Sequence, residues 1–283
     1  MADLPLTSLV PQIEKWLEED DLNRNFHYIR TLPSHSVDLS LKFKSDLLLA
    51  GTDYFAGVFK VFGVREETFS ELRRLEGKNF KAGDEFRFST PMPFGIAVTG
   101  ERLALNLLQH ASSIATWTKM HVALAKESGI KILDTRKTTP GLRSLEKYAV
   151  RLGGGYNHRM GQSDVWMIKD NHKTSLGGLK AAYEFFLSQG SFYNNIVAEI
   201  HDLKELQQAI EIGIKHVMLD NFTPAQILEA VKIKTPGMIY EVSGGLRFDT
   251  LKNYLITGVD ALSIGALTYA APRVDLSLKF KAL

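Results

Sequence analysis

Ile130-Lys-Ile-Leu-Asp-Thr-Arg-Lys137 is a short apolar run that stops abruptly in polar and charged residues. The same pattern recurs down the rest of the chain. Val165–Ile168 runs into Lys-Asp-Asn-His, Ile196–Ala198 into Glu199, and Val217–Leu219 into Asp220-Asn. Met238–Tyr240 runs into Glu-Val-Ser-Gly-Gly and Ala261–Ile264 into Gly265. Helical segments separate the runs, Leu203–Ile212 and Pro224–Lys232 among them. Strands alternating with helices at about 20–30 residues are the signature of βα units in a parallel sheet. Six such units closing on themselves predict a barrel that lacks the full eight strands. Chemistry in such barrels sits at the carboxyl ends of the strands, and this sequence places its charges there.

The residues before 130 read differently. Leu9, Ile13, Trp16 and Leu17 have helical spacing, and Val37–Phe43 alternates apolar with polar, as a half-buried strand does. Asp46–Ala50, Gly57–Phe62 and Glu85–Ser89 are also strand-like, and Lys81-Ala-Gly-Asp84 reads as a tight turn. A long helical pattern covers 101–128. The octapeptide Val-Asp-Leu-Ser-Leu-Lys-Phe-Lys occurs at 37–44 and again at 274–281. Two strands with one alternation predict that the C-terminal tail returns to the N-terminal sheet, pairing there or taking an equivalent place. The expected division is an N-terminal domain over 1–115, joined by a returning strand within 270–283, and a barrel over 116–269.

Composition narrows the function. The 283 residues are 45% hydrophobic and 23% charged, an ordinary globular balance, and there is no cysteine. Disulfides, thiolate metal sites and a cysteine nucleophile are excluded. The acidic, amphipathic N-terminus lacks the basic start and apolar run of a signal peptide, and no apolar stretch is long enough to span a bilayer. A soluble, cytoplasmic protein without a membrane partner is expected. A net charge of +2 is too balanced for a nucleic-acid binder acting through global charge. Anion recognition must be local, and between 136 and 169 seven Lys and Arg residues face only Glu146 and Asp164.

Arg136 and Lys137 after the first barrel run fit either a solvated loop or a site, and the recurrence of a cation at the next strand end, Lys169, favours a site. Leu152-Gly-Gly-Gly-Tyr-Asn-His-Arg159 combines glycines, which let a backbone approach a ligand closely, with donors that suit carboxylate or phosphate. Glu199 and Asp220 end successive strands. They suit a divalent cation, a pair of sugar hydroxyls or a developing positive charge, or else salt bridges to nearby cations. His201 lies past its strand end and reads as a loop residue. The glycine-rich ends Ser243-Gly-Gly245 and Ser263-Ile-Gly265 suit phosphate bound by backbone N–H groups, with close strand–helix packing as the bland alternative. No G-x-S-x-G elbow, Walker loop or dinucleotide fingerprint is present. Chemistry by positioning and electrostatics is expected.

Glu101-Arg-Leu-Ala-Leu-Asn106, Ser113-Ile-Ala-Thr116, Asp134-Thr-Arg-Lys-Thr138, Gly154-Gly-Tyr-Asn-His-Arg159, Ile168-Lys-Asp-Asn-His172, Leu219-Asp-Asn221, Ser243-Gly-Gly245 and Asp275-Leu-Ser-Leu278 occur in this order. Together they resemble the quinolinate phosphoribosyltransferases, the decarboxylating nicotinate-nucleotide pyrophosphorylases. The resemblance implies an α/β protein: an N-terminal α/β open sandwich plus a C-terminal incomplete (β/α) barrel. It implies a homodimer in which Arg102 enters the other subunit's site. It implies that quinolinate binds Arg136, His158, Arg159 and Lys169, with Lys137 and Thr135 beside them. Glu199 and Asp220 would face the phosphoribosyl group of phosphoribosyl pyrophosphate and Mg²⁺, directly or indirectly. Ser243, Gly244, Gly245 and Gly265 would bind phosphate. The implied catalytic set is Lys137, Lys169, Glu199 and Asp220. Three places depart from the family pattern: Glu19-Asp-Asp-Leu-Asn-Arg24, Val197 where many members have Glu, and His110 where Arg is common. Two other readings stay open on the same scaffold. One is a different substrate, either a monocarboxylate such as nicotinate or that of a molybdenum-associated pyrophosphorylase-like relative; a monocarboxylate needs fewer cations. The other is a non-catalytic binding protein, which would not need Glu199, Asp220 and Lys137 intact.

Overall fold

A computed structural model describes residues 6–20, 31–190 and 195–283; most of the Glu19–Arg24 departure lies outside them. The chain divides into two compact units, Met1–Trp117 with Pro272–Leu283, and Thr118–Ala271.

In the first unit, β1 (Ser36–Phe43) is the central strand. β2 (Leu47–Leu48) and β3 (Asn79–Phe80) form a small antiparallel pair. β4 (Glu85–Arg87) and β5 (Met92–Pro93) both pair antiparallel with β1. The other edge of β1 takes the C-terminal strand Leu276–Ala282, also antiparallel. The repeated octapeptide therefore pairs with itself. Leu41 faces Leu278, the same position of the repeat, and Leu39–Phe280 mirrors Phe43–Leu276 across that centre. The arrangement follows from period 2, because antiparallel pairing about a shared centre puts both apolar sets on one face. Leu39, Leu41, Phe43, Leu276 and Leu278 are all buried. The expected turn at Lys81–Asp84 is present, with Gly83 at φ 99° and Asp84 accepting from the Lys81 N–H.

Gly57–Phe62 is not a strand. It belongs almost wholly to the helix Thr52–Val61, which is buried from Tyr54 through Phe59. Val, Phe and Val favour strands, and a helix buried nearly all round offers no polar face to reveal its period; tertiary burial outweighs propensity. Phe55, Phe59, Phe69 and Phe88 stack around it as a ring cluster. The long helix is Phe94–Ala125. Within the first unit its Ser112 and Thr116 hydroxyls accept from the Ala50 and Leu48 N–H groups at 3.0 and 2.9 Å. Those donors border a two-residue strand and need partners. His110 is buried, 3.0 Å from an Arg273 guanidinium nitrogen through its Nδ1.

The second unit holds six parallel strands: β6 (Lys131–Leu133), β7 (Trp166–Ile168), β8 (Ile196–Ile200), β9 (His216–Asp220), β10 (Ile239–Ser243) and β11 (Ala261–Ser263). Every run read from the sequence is a strand. The spatial order is β6-β11-β10-β9-β8-β7, so the consecutive strands β6 and β7 are the two edges and do not pair. This is an incomplete barrel. The segment after the helix Arg143–Leu152 runs beside β6, where Tyr156 N–H donates to Ile132 O at 2.8 Å and Asp134 N–H to Tyr156 O at 3.1 Å. Registers align the carboxyl ends: Leu133 opposes Ser263, Ser263 opposes Ser243, and Ser243 opposes Asp220. One rim therefore collects the polar residues that follow each strand. Val197 is fully buried in an apolar cluster with Met167 and Met218. No helix among the described residues is long and apolar enough to cross a membrane.

Candidate active site

The rim encloses a cavity of about 600 Å³. Thr135, Arg136, Lys137, His158, Arg159, Lys169, Glu199, Asp220, Ser243, Gly244, Gly245 and Gly265 all line it. Arg102 does not; it is exposed on the helix Phe94–Ala125, within the first unit. The lining also includes Met167, Met218, Leu246 and Tyr269, which give the cavity apolar wall beside its charges.

A buried ion pair builds the cationic side. Asp134 is fully buried and accepts from Lys147 Nζ, from Asn157 Nδ2 at 2.6 Å and from the His158 N–H at 2.8 Å. Lys147, also buried, donates as well to His158 O at 3.0 Å. Burial pushes the Asp134 carboxyl up, and these donors oppose it. The network clamps residues 157–159 against β6. Asn157 is thus spent on the scaffold and is not a ligand donor. The three glycines also do structural work. Gly154 turns at φ 88°, and a Cβ on Gly155 would meet Thr118 Cγ2 at 2.8 Å and Val150 Cγ1 at 2.9 Å. They close the end of a helix, and only His158 and Arg159 reach the cavity.

Arg159 is anchored by donating to Val165 O at 2.9 Å. Among the described residues no carboxylate forms an ion pair with Arg136 or Arg159. Burial, and then the charge on Arg136, push the Arg159 guanidinium down from its ordinary value. Arg136 Nε is buried without a hydrogen-bond partner. Two half-buried like charges with an unspent donor form a site prepared for an anion.

The same cavity also gathers carboxylates. Lys169 Nζ lies 2.5 Å from Glu199 Oε2, so one of the bland readings of Glu199, a salt bridge to a neighbouring cation, holds here. Burial and the nearby Glu199 raise the Asp220 carboxyl above its ordinary value, against the charges of His201, Lys169 and Lys137. His201 is more than a loop residue. Its Nε2 contacts Asp170 and stands 3.7 Å from Glu199 Oε1, while its Nδ1 is 4.0 Å from Asp220 Oδ2. Asp170, Glu199 and His201 bring ligand atoms within 4.8 Å of one another. Lys173 is also gathered here, donating to Glu199 O at 2.9 Å and Glu205 Oε1 at 2.6 Å.

The glycine-rich ends have a physical basis. Gly244 and Gly245 have φ of 90° and 62°, and a Cβ on Gly244 would meet Asn221 Oδ1 at 2.3 Å. Asn221 itself has φ 59° and donates to Asp220 Oδ2 at 2.7 Å. Gly265 has no such strain; a Cβ there would meet Lys137 Cδ at 2.9 Å, so this glycine leaves room for a lysine.

Glu241, which the sequence places only within a strand end, belongs to the site's support. It is 1% exposed, 3.2 Å from His158 Nε2 and 3.1 Å from His216 Nε2, and it accepts from the Ser263 hydroxyl. Burial would raise its carboxyl; the hydrogen bonds from His158, His216 and Ser263 outweigh that and hold it down to about 2.

Residues 114–279 match the family model described as "Quinolinate phosphoribosyl transferase, C-terminal domain". The chain belongs to this family. Within it, the chain is 37% identical over 243 residues to a probable nicotinate-nucleotide pyrophosphorylase [carboxylating] of Bacillus subtilis, covering 86% of this chain and 83% of that one. It is 34% identical over 287 residues to the nicotinate-nucleotide pyrophosphorylase [carboxylating] of Rattus norvegicus, covering 99% and 93%. The crystal structure of NadC from Streptococcus pyogenes superposes with a TM-score of 0.87 at 32% identity, covering all of both chains.

Proposed function

We propose that this chain is a quinolinate phosphoribosyltransferase, making nicotinate mononucleotide, pyrophosphate and CO₂ from quinolinate and phosphoribosyl pyrophosphate, a step of NAD biosynthesis. The observation that carries this is the pair Arg136 and Arg159, free of ion-paired carboxylates among the described residues, in one cavity with Glu199 and Asp220. Two guanidiniums match the two carboxylates of a pyridine dicarboxylate, and Arg can bind each bidentately. Family membership and the named relatives support the same substrate.

The pyridine nitrogen forms a bond to the anomeric carbon while the bond from that carbon to pyrophosphate breaks, its electrons leaving with the pyrophosphate. Positive charge develops on the ribose, and Glu199 and Asp220 lie where carboxylates can offset it. Gly244 and Gly245 supply backbone at left-handed dihedrals for phosphate. The electron pair of the breaking carbon–carboxylate bond then stays on the ring carbon, stabilised by the positive charge of the adjacent quaternised nitrogen; CO₂ leaves, and that carbon takes up one proton from solvent. Apolar wall from Met167 and Met218 keeps water from the carboxylate that loses its charge.

Mg²⁺ suits the donor set: Glu199 and Asp220 are crowded like charges, and a hard cation prefers carboxylate oxygens. These two residues would hold it, and it would offset charge on the leaving pyrophosphate. The working enzyme is proposed to be a cytoplasmic homodimer, with Arg102 of a second copy as a further cation for the dicarboxylate. The exposure of Arg102 and its place in the family-like motif Glu101-Arg-Leu-Ala-Leu-Asn106 support that role.

The test is an assay with purified protein, quinolinate, phosphoribosyl pyrophosphate and Mg²⁺. Nicotinate mononucleotide and CO₂ are expected in equal amounts. Turnover of nicotinate without turnover of quinolinate would overturn the reading. Mixing inactive Arg102→Ala and Arg159→Ala subunits should restore part of the activity; none despite verified subunit exchange rules out the shared site.

A further inference from the structure

The sequence groups His158 with the cations that hold the dicarboxylate, and the geometry points elsewhere. A carboxylate only accepts hydrogen bonds. Glu241 Oε1 stands 3.2 Å from His158 Nε2, which places a proton on that nitrogen, facing the carboxylate. The other ring nitrogen, Nδ1, accepts from the Arg159 backbone N–H at 2.7 Å. A ring nitrogen that accepts has no proton of its own. Both nitrogens are spent, and the imidazole they define is neutral. A proton on Nδ1 would face the Arg159 N–H and break that bond.

The surroundings hold the residue in this state. Asp134 accepts from its N–H, Lys147 donates to its carbonyl, Arg159 follows it, and Glu241 faces its ring with His216 behind. The His158 side chain is 9% exposed, which leaves it little reach toward a ligand. His216, at the opposite end of β9 from Asp220, is 27% exposed and meets Glu241 through Nε2.

We propose that Glu241 is a positioning residue: it fixes His158 as a neutral, Nε2-protonated imidazole whose Nδ1 seats the Arg159 backbone, so that Arg159 and Arg136 hold the dicarboxylate and His158 gives it no ring N–H. This rests on the dicarboxylate reading of the cavity. Glu241 lies two residues inside its strand, away from the rim, and acts through His158 and then Arg159. The role also accounts for a carboxylate kept in the barrel interior with three donors, where an apolar residue would otherwise serve.

The test is ¹⁵N NMR of the histidine rings in the full-length protein at pH 7.5, with His158 assigned by its loss in His158→Gln. One protonated Nε2 and one unprotonated Nδ1 are expected, unchanged when quinolinate is added. An Nδ1–H tautomer or an imidazolium, free or with quinolinate, overturns the proposal. Beyond the folded His158→Gln variant used for assignment, that spectrum needs no turnover, so it stands even if quinolinate is not the substrate. Glu241→Gln, which cannot accept from three donors, should alter the His158 pattern. It should also raise the KM for quinolinate about tenfold while changing kcat and the KM for phosphoribosyl pyrophosphate by less than about threefold. An unaltered His158 pattern, or an equal change in both KM values, counts against a positioning role.

Discussion

Glu241 and Asp220 sit on adjacent strands of one barrel, and burial works against the charge of each. Their environments then part. Glu241 receives two imidazoles and a hydroxyl and is held down to about 2. Asp220 has Glu199 beside it and is pushed above its ordinary value. The same division separates the two acid–base pairs of the unit. Asp134 and Lys147 are buried and satisfied by further hydrogen bonds. Lys169, paired with Glu199, is 47% exposed at the cavity. The buried charges Asp134, Lys147 and Glu241 are satisfied and hold the chain in place. At the cavity Arg159 has Arg136 beside it and Asp220 has Glu199, each a neighbour of its own sign, and a ligand of opposite sign is what relieves them. Unrelieved charge therefore marks function here better than charge alone does.

The comparison breaks first at Asp134. Asp134→Ala leaves Lys147 buried beside a single carbonyl, and about 3–5 kcal/mol of stability should be lost. The double variant Asp134→Ala, Lys147→Met should recover most of it, because removing both charges leaves none unpaired. Denaturant unfolding of the three proteins checks this. A double variant as unstable as the single one would show that the pair does not carry the scaffold.

Glu199→Gln tests the rim. It removes a charge that repels Asp220 and pairs with Lys169, so stability should barely move. The rate should fall about 10²–10³-fold, equivalent to about 2.7–4 kcal/mol in the transition state. Steady-state kinetics beside a melting curve separates the two effects. A variant with normal kcat and a lowered melting temperature would place Glu199 with the scaffold.

Legibility in the sequence follows the same line. The six strands were readable because each parallel strand is an apolar run ending in polar residues; ten of the twelve predicted residues of the second unit end or follow those strands, while His158 and Arg159 arrive on the segment clamped by Asp134 and Lys147. Gly57–Phe62 looks strand-like in sequence because its helix is buried almost all round and shows no polar face. The scaffold charges were illegible for a different reason. Whether Lys147, Asn157 or Glu241 is solvated or buried depends on partners 10 to 83 positions away, and no local period encodes it. Glu241 did carry a faint signal, a carboxylate inside an apolar run with two residues still to go before the strand end. His201 carried none, since its place depends on how the loops after β7, β8 and β9 converge.

The smallest expected effect is the sharpest discriminator. Because the folded-state pKa of Asp220 is raised, its contribution to stability is full below the ordinary carboxylate value and is lost as pH rises through the raised one. Glu241, lowered to about 2, does the opposite: its contribution is present above the ordinary value and lost as pH falls toward 2. Asp220→Asn keeps an oxygen that can accept from Asn221 and removes the repelling charge. It should match the wild type near pH 4 and melt about 1–3 °C higher at pH 7.5, a gain of roughly 0.5–1 kcal/mol. Its activity should still fall, since the ribose loses a carboxylate. Melting temperatures of both proteins from pH 4 to 8 are the measurement. A difference that shrinks as pH rises, or a variant less stable at pH 7.5, would mean that Asp220 belongs with the satisfied charges and that crowding does not mark the site.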